Sequence, residues 1–142
     1  MSPALDLAPA YAFRPLAAED RAFVLSSWLR SYRYGSSFGR SFRNAEFFPG
    51  HHDVAERVLA RSSTVVAHLP DSPGVILGFL VHEPAVLHYV YVKEQFRRLG
   101  IAWTLLAAAH LPAAFRYTHA TDDWQRLRSR FPSASYLGPY GW

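Results

Sequence analysis

The sequence predicts a single domain of the α+β class, and three observations carry this prediction. β-rich runs and helical periods follow one another in the order strand, helix, helix, three strands, helix, strand, helix. The chain has 142 residues, of which 50% are hydrophobic and 18% charged, a balance that suits one core of ordinary size. No repeat or long linker divides it, so we expect residues 11–142 to form one unit behind a flexible start at residues 1–10.

The chain opens with a short strand and a helix. Residues 11–15 predict the strand, and Glu19 and Asp20 then place acidic groups in the first turn of a helix that ends near Tyr34. The apolar positions of this helix recur at helical spacing, at Phe23, Val24, Trp28 and Leu29.

A loop and a second helix are expected next. Glycines, serines and Pro49 predict a loop over residues 35–50, although this segment also carries several phenylalanines. The second helix is expected over residues 53–61, with Asp53 as its N-cap.

Three strands follow, at residues 64–69, 75–81 and 85–92. The first two are rich in β-branched residues and are separated by Pro-Asp-Ser-Pro-Gly, which predicts a hairpin. The C-terminal third is then expected to form a helix, a strand and a helix at residues 101–110, 114–119 and 122–130, before a tail with no clear period.

Composition excludes some chemistry and favours certain partners. With no cysteine, the chain has neither disulfides nor a thiolate nucleophile. Fourteen of its fifteen basic residues are arginine, which favours anionic partners, although a GC-rich genome would give the same bias. The N-terminus lacks the pattern of a signal peptide, and the most apolar stretch, residues 101–115, is interrupted by polar residues and Pro112. We expect a soluble, cytoplasmic protein.

The segment with the clearest chemical signal follows the predicted strand at residues 85–92. A basic stretch with Arg97 and Arg98 leads to Gly100 and then into the predicted helix at residues 101–110. The first amide N–H groups of a helix have no intrahelical partners, and Gly100 allows close approach of a ligand to the backbone. This pattern predicts a phosphate site, although a merely basic helix start would look the same.

Residues 97–102 read Arg-Arg-Leu-Gly-Ile-Ala, and residues 90–92 read Val-Tyr-Val. These segments, their spacing and the order of elements around them resemble the GCN5-related N-acetyltransferase (GNAT) superfamily, whose pyrophosphate loop reads Arg/Gln-x-x-Gly-x-Gly/Ala. The resemblance covers roughly the whole chain. It implies a mixed central sheet flanked by helices, in which the strands at residues 85–92 and 114–119 splay apart to form an acyl-CoA cleft. It also implies transfer of an acetyl group from acetyl-CoA to an amine by direct attack.

The resemblance further implies which residues bind the cofactor, acetyl-CoA. The exposed backbone of Tyr91 and Val92 would pair with the pantetheine arm. The loop and the helix start would hold the pyrophosphate through Arg97, Arg98, Leu99, Gly100, Ile101 and Ala102.

Acyl transfer to an amine needs a base, and His88 is the first candidate. It precedes Arg97 by nine residues, and serotonin-type arylalkylamine acetyltransferases similarly place a histidine at that spacing. Glu83 is the substitute base. The alternative is that His88 only packs in the sheet, since strand alternation groups it with Val90 and Val92.

The departing thiolate needs an acid, which in the GNAT family is a tyrosine on the last helix. Residues 122–130 contain no tyrosine, so we take Tyr136 as the candidate acid. The alternative for Tyr136 is that it covers the edge of the core. The missing tyrosine also leaves open a catalytically inactive CoA-binding module.

The acceptor side of the cleft is expected between the first two helices. Residues 30–43 carry four arginines and no acid, interleaved with aromatics, so they suit an anionic planar acceptor or else form a solvated surface over the core. The candidate substrate-binding residues are Arg33, Tyr34, Arg40, His119 and Thr121.

A small-molecule amine is the expected acceptor, and a nucleobase or nucleic acid, as in phage GNAT-like proteins of the Mom type, is the alternative. We expect no membrane partner and a monomer or homodimer. His51, His52 and Asp53 could suggest a metal site, but we expect no metal, because no third ligand has a suitable spacing.

Overall fold

The structure is a computed structural model that describes residues 11–97 and 99–139. Within these residues six strands form one open sheet in chain order. Their bounds are β1 Ala12–Pro15, β2 Ser63–Leu69, β3 Ser72–Glu83, β4 Val86–Val92, β5 Arg116–Tyr117 and β6 Ser135–Tyr136. The first four strands pair antiparallel, and β5 and β6 continue the sheet parallel to β4. The predicted α+β class with a mixed sheet is confirmed, while the expected flexible start at residues 1–10 lies outside the described residues.

Five α-helices accompany the sheet in the described part of the chain. They are α1 Arg21–Tyr34, α2 Ser37–Arg40, α3 Asn44–Arg61, α4 Ile101–Ala109 and α5 Asp122–Leu127. Glu19 and Asp20 belong to a 3-10 turn before α1, where the Asp20 carboxylate accepts hydrogen bonds from Arg14 and from the backbone N–H of Ala17. Among the residues described, no helix is both long and apolar enough to cross a bilayer.

The prediction of a loop over residues 35–50 is wrong. The short helix α2 and the first two turns of α3 occupy much of it, and Asp53 lies inside α3 instead of capping it. The apolar spacing from Phe47 through His51 to Val54 and Val58 puts one face of α3 in the core, and this burial outweighs the lost amide of Pro49. Pro49 is exposed on the outer side of the helix, so the carbonyl that it leaves without a helical donor can meet water.

The C-terminal third also differs from the prediction. The strand expected at residues 114–119 is only two residues long, and the helix expected at residues 122–130 ends at Leu127 and continues as a 3-10 turn. The tail contains β6, which the sequence did not predict because two residues are too few to show a period. β6 pairs with β5 from Arg116 to Tyr117 and forms the edge of the described sheet.

Two clusters of buried side chains lie on opposite faces of the sheet. The cluster beneath α1 and α3 is rich in aromatic residues, including Trp28, Tyr32 and Tyr89. The cluster beneath α4 is mainly aliphatic, with Leu105 and Leu106 among its members. Buried tyrosine and tryptophan rings, whose polar atoms need partners, occur in both clusters, with Tyr117 and Trp124 in the second.

A β-bulge lies in β4 at His88. Val81 of β3 pairs with Tyr89 and His82 pairs with Leu87, so that His88 is the extra residue on β4. The alternation of the strand changes at this point: Leu87 packs beneath α4, whereas Tyr89 packs beneath α1 and α3. The predicted grouping of His88 with Val90 and Val92 on one face is wrong, because that grouping requires an unbroken alternation.

The bulge coincides with the point at which β4 and β5 separate. The ladder between them consists of Val86 with Arg116 and Leu87 with Tyr117, followed by a bond of 3.0 Å from the Thr118 N–H to the Leu87 carbonyl. The rest of β4 continues without β5 beside it. This confirms the expected splayed pair of strands and opens a cleft at the carboxyl end of the sheet.

Candidate functional site

The cleft is a cavity of about 770 Å³ between the end of β4, the start of α4 and the start of α5. The C-terminal turn of α1 forms a further wall through Ser31, Tyr34 and Gly35. Its volume is that of a pocket for a drug-sized molecule or larger. Most of the loop and strand residues predicted to bind a cofactor line it, although Arg98 lies outside the described residues and Leu99 is not on the wall.

The start of α4 presents backbone N–H groups to one end of the cavity. Gly100 precedes the helix with φ +78°, a left-handed conformation that favours glycine. No side chain caps this helix, and the first three helical residues, Ile101, Ala102 and Trp103, all line the cavity. Their amides have no intrahelical acceptor and lie at the positive end of the helix dipole, which is the arrangement that binds phosphate.

The edge of β4 forms the floor of the cavity. Because the pairing with β5 ends at Leu87, the edge of β4 from Tyr89 to Val92 faces the cavity in place of a neighbouring strand. Tyr91 and Val92, predicted to pair with an extended ligand, lie on this edge. Such an edge can hydrogen-bond a peptide-like chain as an added strand would.

Charged groups lie across the end of the cavity at the start of α4. Arg97 places Nη1 at 3.2 Å from Oδ2 of Asp123 on α5, and its Nε donates to the Val92 carbonyl. Asp123 also accepts a bond of 2.7 Å from Arg126. The Arg97 guanidinium therefore joins the loop before α4 to the start of α5, with a carboxylate as its partner.

The end of the cavity beside α1 contains two hydroxyl groups in contact. The Oγ of Ser31 lies 2.6 Å from the phenolic oxygen of Tyr89, and Ser31 also donates to the Ser27 carbonyl within α1. Burial raises the pKa of Tyr89, so its hydroxyl stays protonated at neutral pH. Sequence reasoning missed this pair, because Ser31 and Tyr89 are 58 residues apart and neither carries a local motif.

The predicted bases His88 and Glu83 lie close together but not on the cavity wall. His88 is fully buried, and its Nε2 is 2.7 Å from Oε2 of Glu83. Glu83 also contacts Arg61 at the end of α3 at 3.4 Å. Burial lowers the pKa of His88, while its bond to Glu83 acts in the opposite direction.

The buried contacts of His88 continue through β5. Its Nδ1 lies 3.0 Å from Oγ1 of Thr118, which in turn lies 2.8 Å from Nδ1 of His119. The Nε2 of His119 is 2.9 Å from Nε2 of His51 on α3. Burial lowers the pKa of His51 to about 4 and that of His119 well below its ordinary value. His119, predicted to contact substrate, is buried in the aromatic cluster against Tyr32 and is not on the wall of the cavity.

Tyr136, the predicted acid, lies on β6 at the edge of the sheet. It is 51% exposed, and its ring packs against Tyr117 at a centroid distance of 5.4 Å. Partial burial raises its pKa, and a hydrogen bond with Tyr32 acts in the opposite direction. Tyr136 does not line the cavity, so its role as the acid stays a prediction.

The predicted acceptor residues are divided between the cavity and the protein surface. Tyr34 and Thr121 line the cavity, and Thr121 caps α5 by accepting from the Trp124 N–H. Arg40 pairs with Asp122 at 2.9 Å, which raises the pKa of Arg40. The Arg33 guanidinium lies over the Tyr34 ring at 5.0 Å.

Most of the aromatics among the arginines are not available to stack on a base. Tyr32 is buried, and Phe38 and Phe42 pack against the same cluster, whereas Tyr34 is exposed. Most of these aromatics therefore belong to the core beneath the arginines, and the nature of the acceptor stays a prediction.

The expectation of no third metal-type ligand beside His52 and Asp53 is wrong. Glu56, one turn further along α3, brings a carboxylate oxygen to 3.3 Å from Nδ1 of His52, and the ligand atoms of the three residues lie within 4.8 Å of one another. Glu56 also pairs with Arg21 at 3.2 Å. The group lies on the outer surface of α3, away from the cavity walls.

Comparisons with known proteins agree on the fold. No protein-family model and no curated protein matches the chain. Among solved structures, a GCN5-related N-acetyltransferase from Rhodopseudomonas palustris superposes with a TM-score of 0.58 at 18% identity, covering 87% of this chain and 82% of the other. The apo-form of YjaB from Escherichia coli superposes with a TM-score of 0.53 at 18% identity, covering 70% of this chain and 63% of the other.

A GNAT-family acetyltransferase from Staphylococcus aureus Mu50 is similar at a TM-score of 0.51 and 13% identity, with the same two coverages as YjaB. The chain therefore has the fold of the GCN5-related N-acetyltransferases, which confirms the fold implied by the resemblance of residues 90–92 and 97–102. Likeness at this level of identity establishes the fold, and the chemistry has to be argued from the site.

Proposed function

From the GNAT fold that the chain shares, we propose that the protein transfers an acetyl group from acetyl-CoA to a small amine. The observation that carries the proposal is the cavity itself, which has a phosphate-binding helix start at one end and a free strand edge along its floor. A long ligand with a pyrophosphate and an amide-containing arm matches both features.

The described residues around the cavity suit acetyl-CoA. The amides of Ile101, Ala102 and Trp103 would hold the pyrophosphate, because no side chain caps them. The edge of β4 at Tyr91 and Val92 would pair with the amides of the pantetheine arm. When bound, acetyl-CoA supplies an acyl thioester that a neutral amine can attack.

The start of α5 supports a cationic amine as the acceptor. Asp122 lies on the cavity wall, and its carboxylate remains 47% exposed beside Arg40. The ammonium form of an amine would share this carboxylate with Arg40, and Tyr34 would cover the apolar part of the amine. The amine must then lose a proton before it attacks.

Two hydroxyl groups on the wall support the proton transfer that the leaving thiolate needs. Tyr89 stays protonated because it is buried, and its contact with Ser31 orients its O–H toward the α1 end of the cavity. Tyr89 is therefore a second candidate for the acid beside Tyr136. His88 and Glu83 stay the predicted bases, and any proton that they took from the cavity would have to pass through an intervening group.

Isothermal titration calorimetry with acetyl-CoA tests the proposal through a matched pair of glycines. Gly100 and Gly138 both have a positive φ, +78° and +91°, so glutamate strains the backbone at either position. Only Gly100→Glu puts a carboxylate at the start of α4. We expect this variant to lose at least about 30-fold in affinity and Gly138→Glu to bind like the wild type. No binding by the wild type at millimolar acetyl-CoA, or equal losses in both variants, would contradict the proposal.

Turnover separates an enzyme from a module that only binds CoA. Thiol release is measured with a panel of small primary amines, and Asp122→Asn is compared with the wild type. We expect a roughly 10-fold higher KM for the best amine in the variant, with an unchanged affinity for acetyl-CoA. Tight acetyl-CoA binding without release from any amine would favour the inactive module instead.

A further inference from the structure

We propose that five side chains, Glu83, His88, Thr118, His119 and His51, form a one-directional hydrogen-bond chain that positions the cleft for acyl transfer. They come from four places in the fold: the end of β3, the bulge of β4, the residues after β5, and α3. The proposal rests on the proposed function, but the chain of hydrogen bonds can be tested without turnover.

Four successive contacts link these side chains. The distances are 2.7 Å from Glu83 to His88, 3.0 Å from His88 to Thr118, 2.8 Å from Thr118 to His119, and 2.9 Å from His119 to His51. All of the members except Glu83 are buried. Each link is within ordinary hydrogen-bond range, so the proton positions of the members depend on one another.

The carboxylate sets the direction of the chain. Glu83, held beside Arg61, can only accept, so Nε2 of His88 carries the proton of the first link. Burial lowers the pKa of His88 and so favours the neutral imidazole, in which Nδ1 accepts from the Thr118 hydroxyl at 3.0 Å. That contact is shorter than the 3.5 Å alternative from the hydroxyl to the His88 carbonyl.

Hydrogen-bond donation keeps the same direction from Thr118 through His119 to His51 on α3. Because the Thr118 hydroxyl gives its proton to His88, its oxygen accepts from Nδ1–H of His119. The neutral His119 then has a bare Nε2, which accepts from Nε2–H of His51. Three tautomers follow: the proton is on Nε2 in His88 and His51, and on Nδ1 in His119.

The hydrogen-bond chain lies beside the point at which β4 and β5 separate and the cleft begins. His88 is the bulged residue, and Thr118 makes the last backbone bond between β5 and β4. Fixing these two side chains against α3 fixes the angle at which β5 leaves β4. Tyr89, the next residue after His88, is thereby held on the cavity wall with its hydroxyl against Ser31. The five residues are positioning residues, since none of them lines the cavity.

Two variants, Thr118→Val and Thr118→Ser, test whether the hydrogen-bond chain positions the cleft. Valine has the shape of threonine without the hydroxyl, whereas serine keeps the hydroxyl. We expect Thr118→Val to lower kcat about 10-fold with the affinity for acetyl-CoA within twofold of the wild type, and Thr118→Ser to restore kcat. An unchanged kcat in Thr118→Val, or no recovery in Thr118→Ser, would overturn the positioning role.

Long-range ¹H–¹⁵N spectra of the imidazoles in the wild type give a second readout that needs neither a variant nor an acceptor. We expect His119 in the Nδ1–H form and His88 and His51 in the Nε2–H form. His119 in the Nε2–H form would overturn the chain even if the protein were an active acetyltransferase. Correct tautomers in a protein that does not bind acetyl-CoA would contradict the proposed function but leave the hydrogen-bond chain intact.

Discussion

The two ends of the cleft are built from different parts of the chain. At the end beside the start of α4, which we call the backbone end, the main chain forms the proposed site through Gly100, the amides of α4 and the edge of β4. At the end near the bulge, which we call the side-chain end, side chains from distant elements form the wall. Ser31 contacts Tyr89 there, and His88, Thr118, His119 and His51 lie behind them. The first end depends on backbone conformation, and the second on individual side-chain atoms.

The two ends should tolerate different kinds of substitution. A site made of backbone amides tolerates truncation of its side chains but not a change in φ or a new charge. A site made of buried polar side chains tolerates little, because removing one atom leaves a partner without its hydrogen bond in the core. The two ends should therefore respond differently to substitution and to pH.

The largest expected effect is the loss of stability in acid, which belongs to the side-chain end. His51 has a pKa of about 4 in the folded state against an ordinary value of 6.5, because burial disfavours its charged form. Between these values the unfolded state binds more protons, so the free energy of unfolding falls as the pH drops from 6.5 to 4. A shift of this size corresponds to about 3 kcal/mol for His51.

Urea unfolding measured from pH 8 to pH 4 checks this expectation. His51→Gln removes the titrating group but keeps a polar side chain, and its comparison with the wild type at pH 8 gives the packing cost alone. The fall in stability between pH 6.5 and 4 should be clearly smaller in the variant. The same fall in both proteins would show that His51 does not titrate in the way that its burial implies.

A smaller effect is expected where a side chain reaches the backbone end. Asp123 holds the Arg97 guanidinium at 3.2 Å and places a negative charge beside the expected phosphate position. Asp123→Asn should therefore raise the affinity for acetyl-CoA about 3- to 10-fold, which corresponds to about 1 kcal/mol. Calorimetry with Asp53→Asn, an exposed position on α3, is the control, and weaker binding by Asp123→Asn would contradict the expectation.

The smallest effect is expected from truncating a side chain at the backbone end. Leu99 precedes Gly100 and is 54% exposed, so its side chain has few contacts to lose. Leu99→Ala should change the affinity for acetyl-CoA by less than about twofold. A tenfold loss of affinity would mean that side chains contribute to binding at the backbone end, and it would remove the contrast between the two ends.

The sequence allowed prediction of the backbone end because its signal is contiguous. Residues 90–92 and 97–102 together span thirteen positions. Gly100 directly precedes the predicted helix, and in the structure it has φ +78°. The side-chain end could not be predicted, because His51, His88 and His119 meet only after α3, β4 and β5 have packed. Even the orientation of His88 depended on a bulge, and a bulge leaves no period in the sequence.

Local signals also misled at particular places. Pro49 and the nearby glycines predicted a loop where α3 begins at Asn44, since the burial of Phe47 and His51 outweighs the helix-breaking tendency of Pro49. Charge patterning left open an anionic acceptor near Arg40, and it could not show that Asp122, 82 residues away, pairs with that guanidinium. In both cases the deciding contact is tertiary.

The proposed function depends on the binding of acetyl-CoA by the amides at the start of α4 and by the edge of β4. Titration of the ¹⁵N-labelled protein with acetyl-CoA, followed in ¹H–¹⁵N correlation spectra, tests this claim residue by residue. We expect the largest saturable shifts at the backbone amides of Ile101, Ala102 and Trp103, with further shifts at Tyr91 and Val92. No shifts at millimolar acetyl-CoA, or saturable shifts confined to residues away from these two segments, would contradict it.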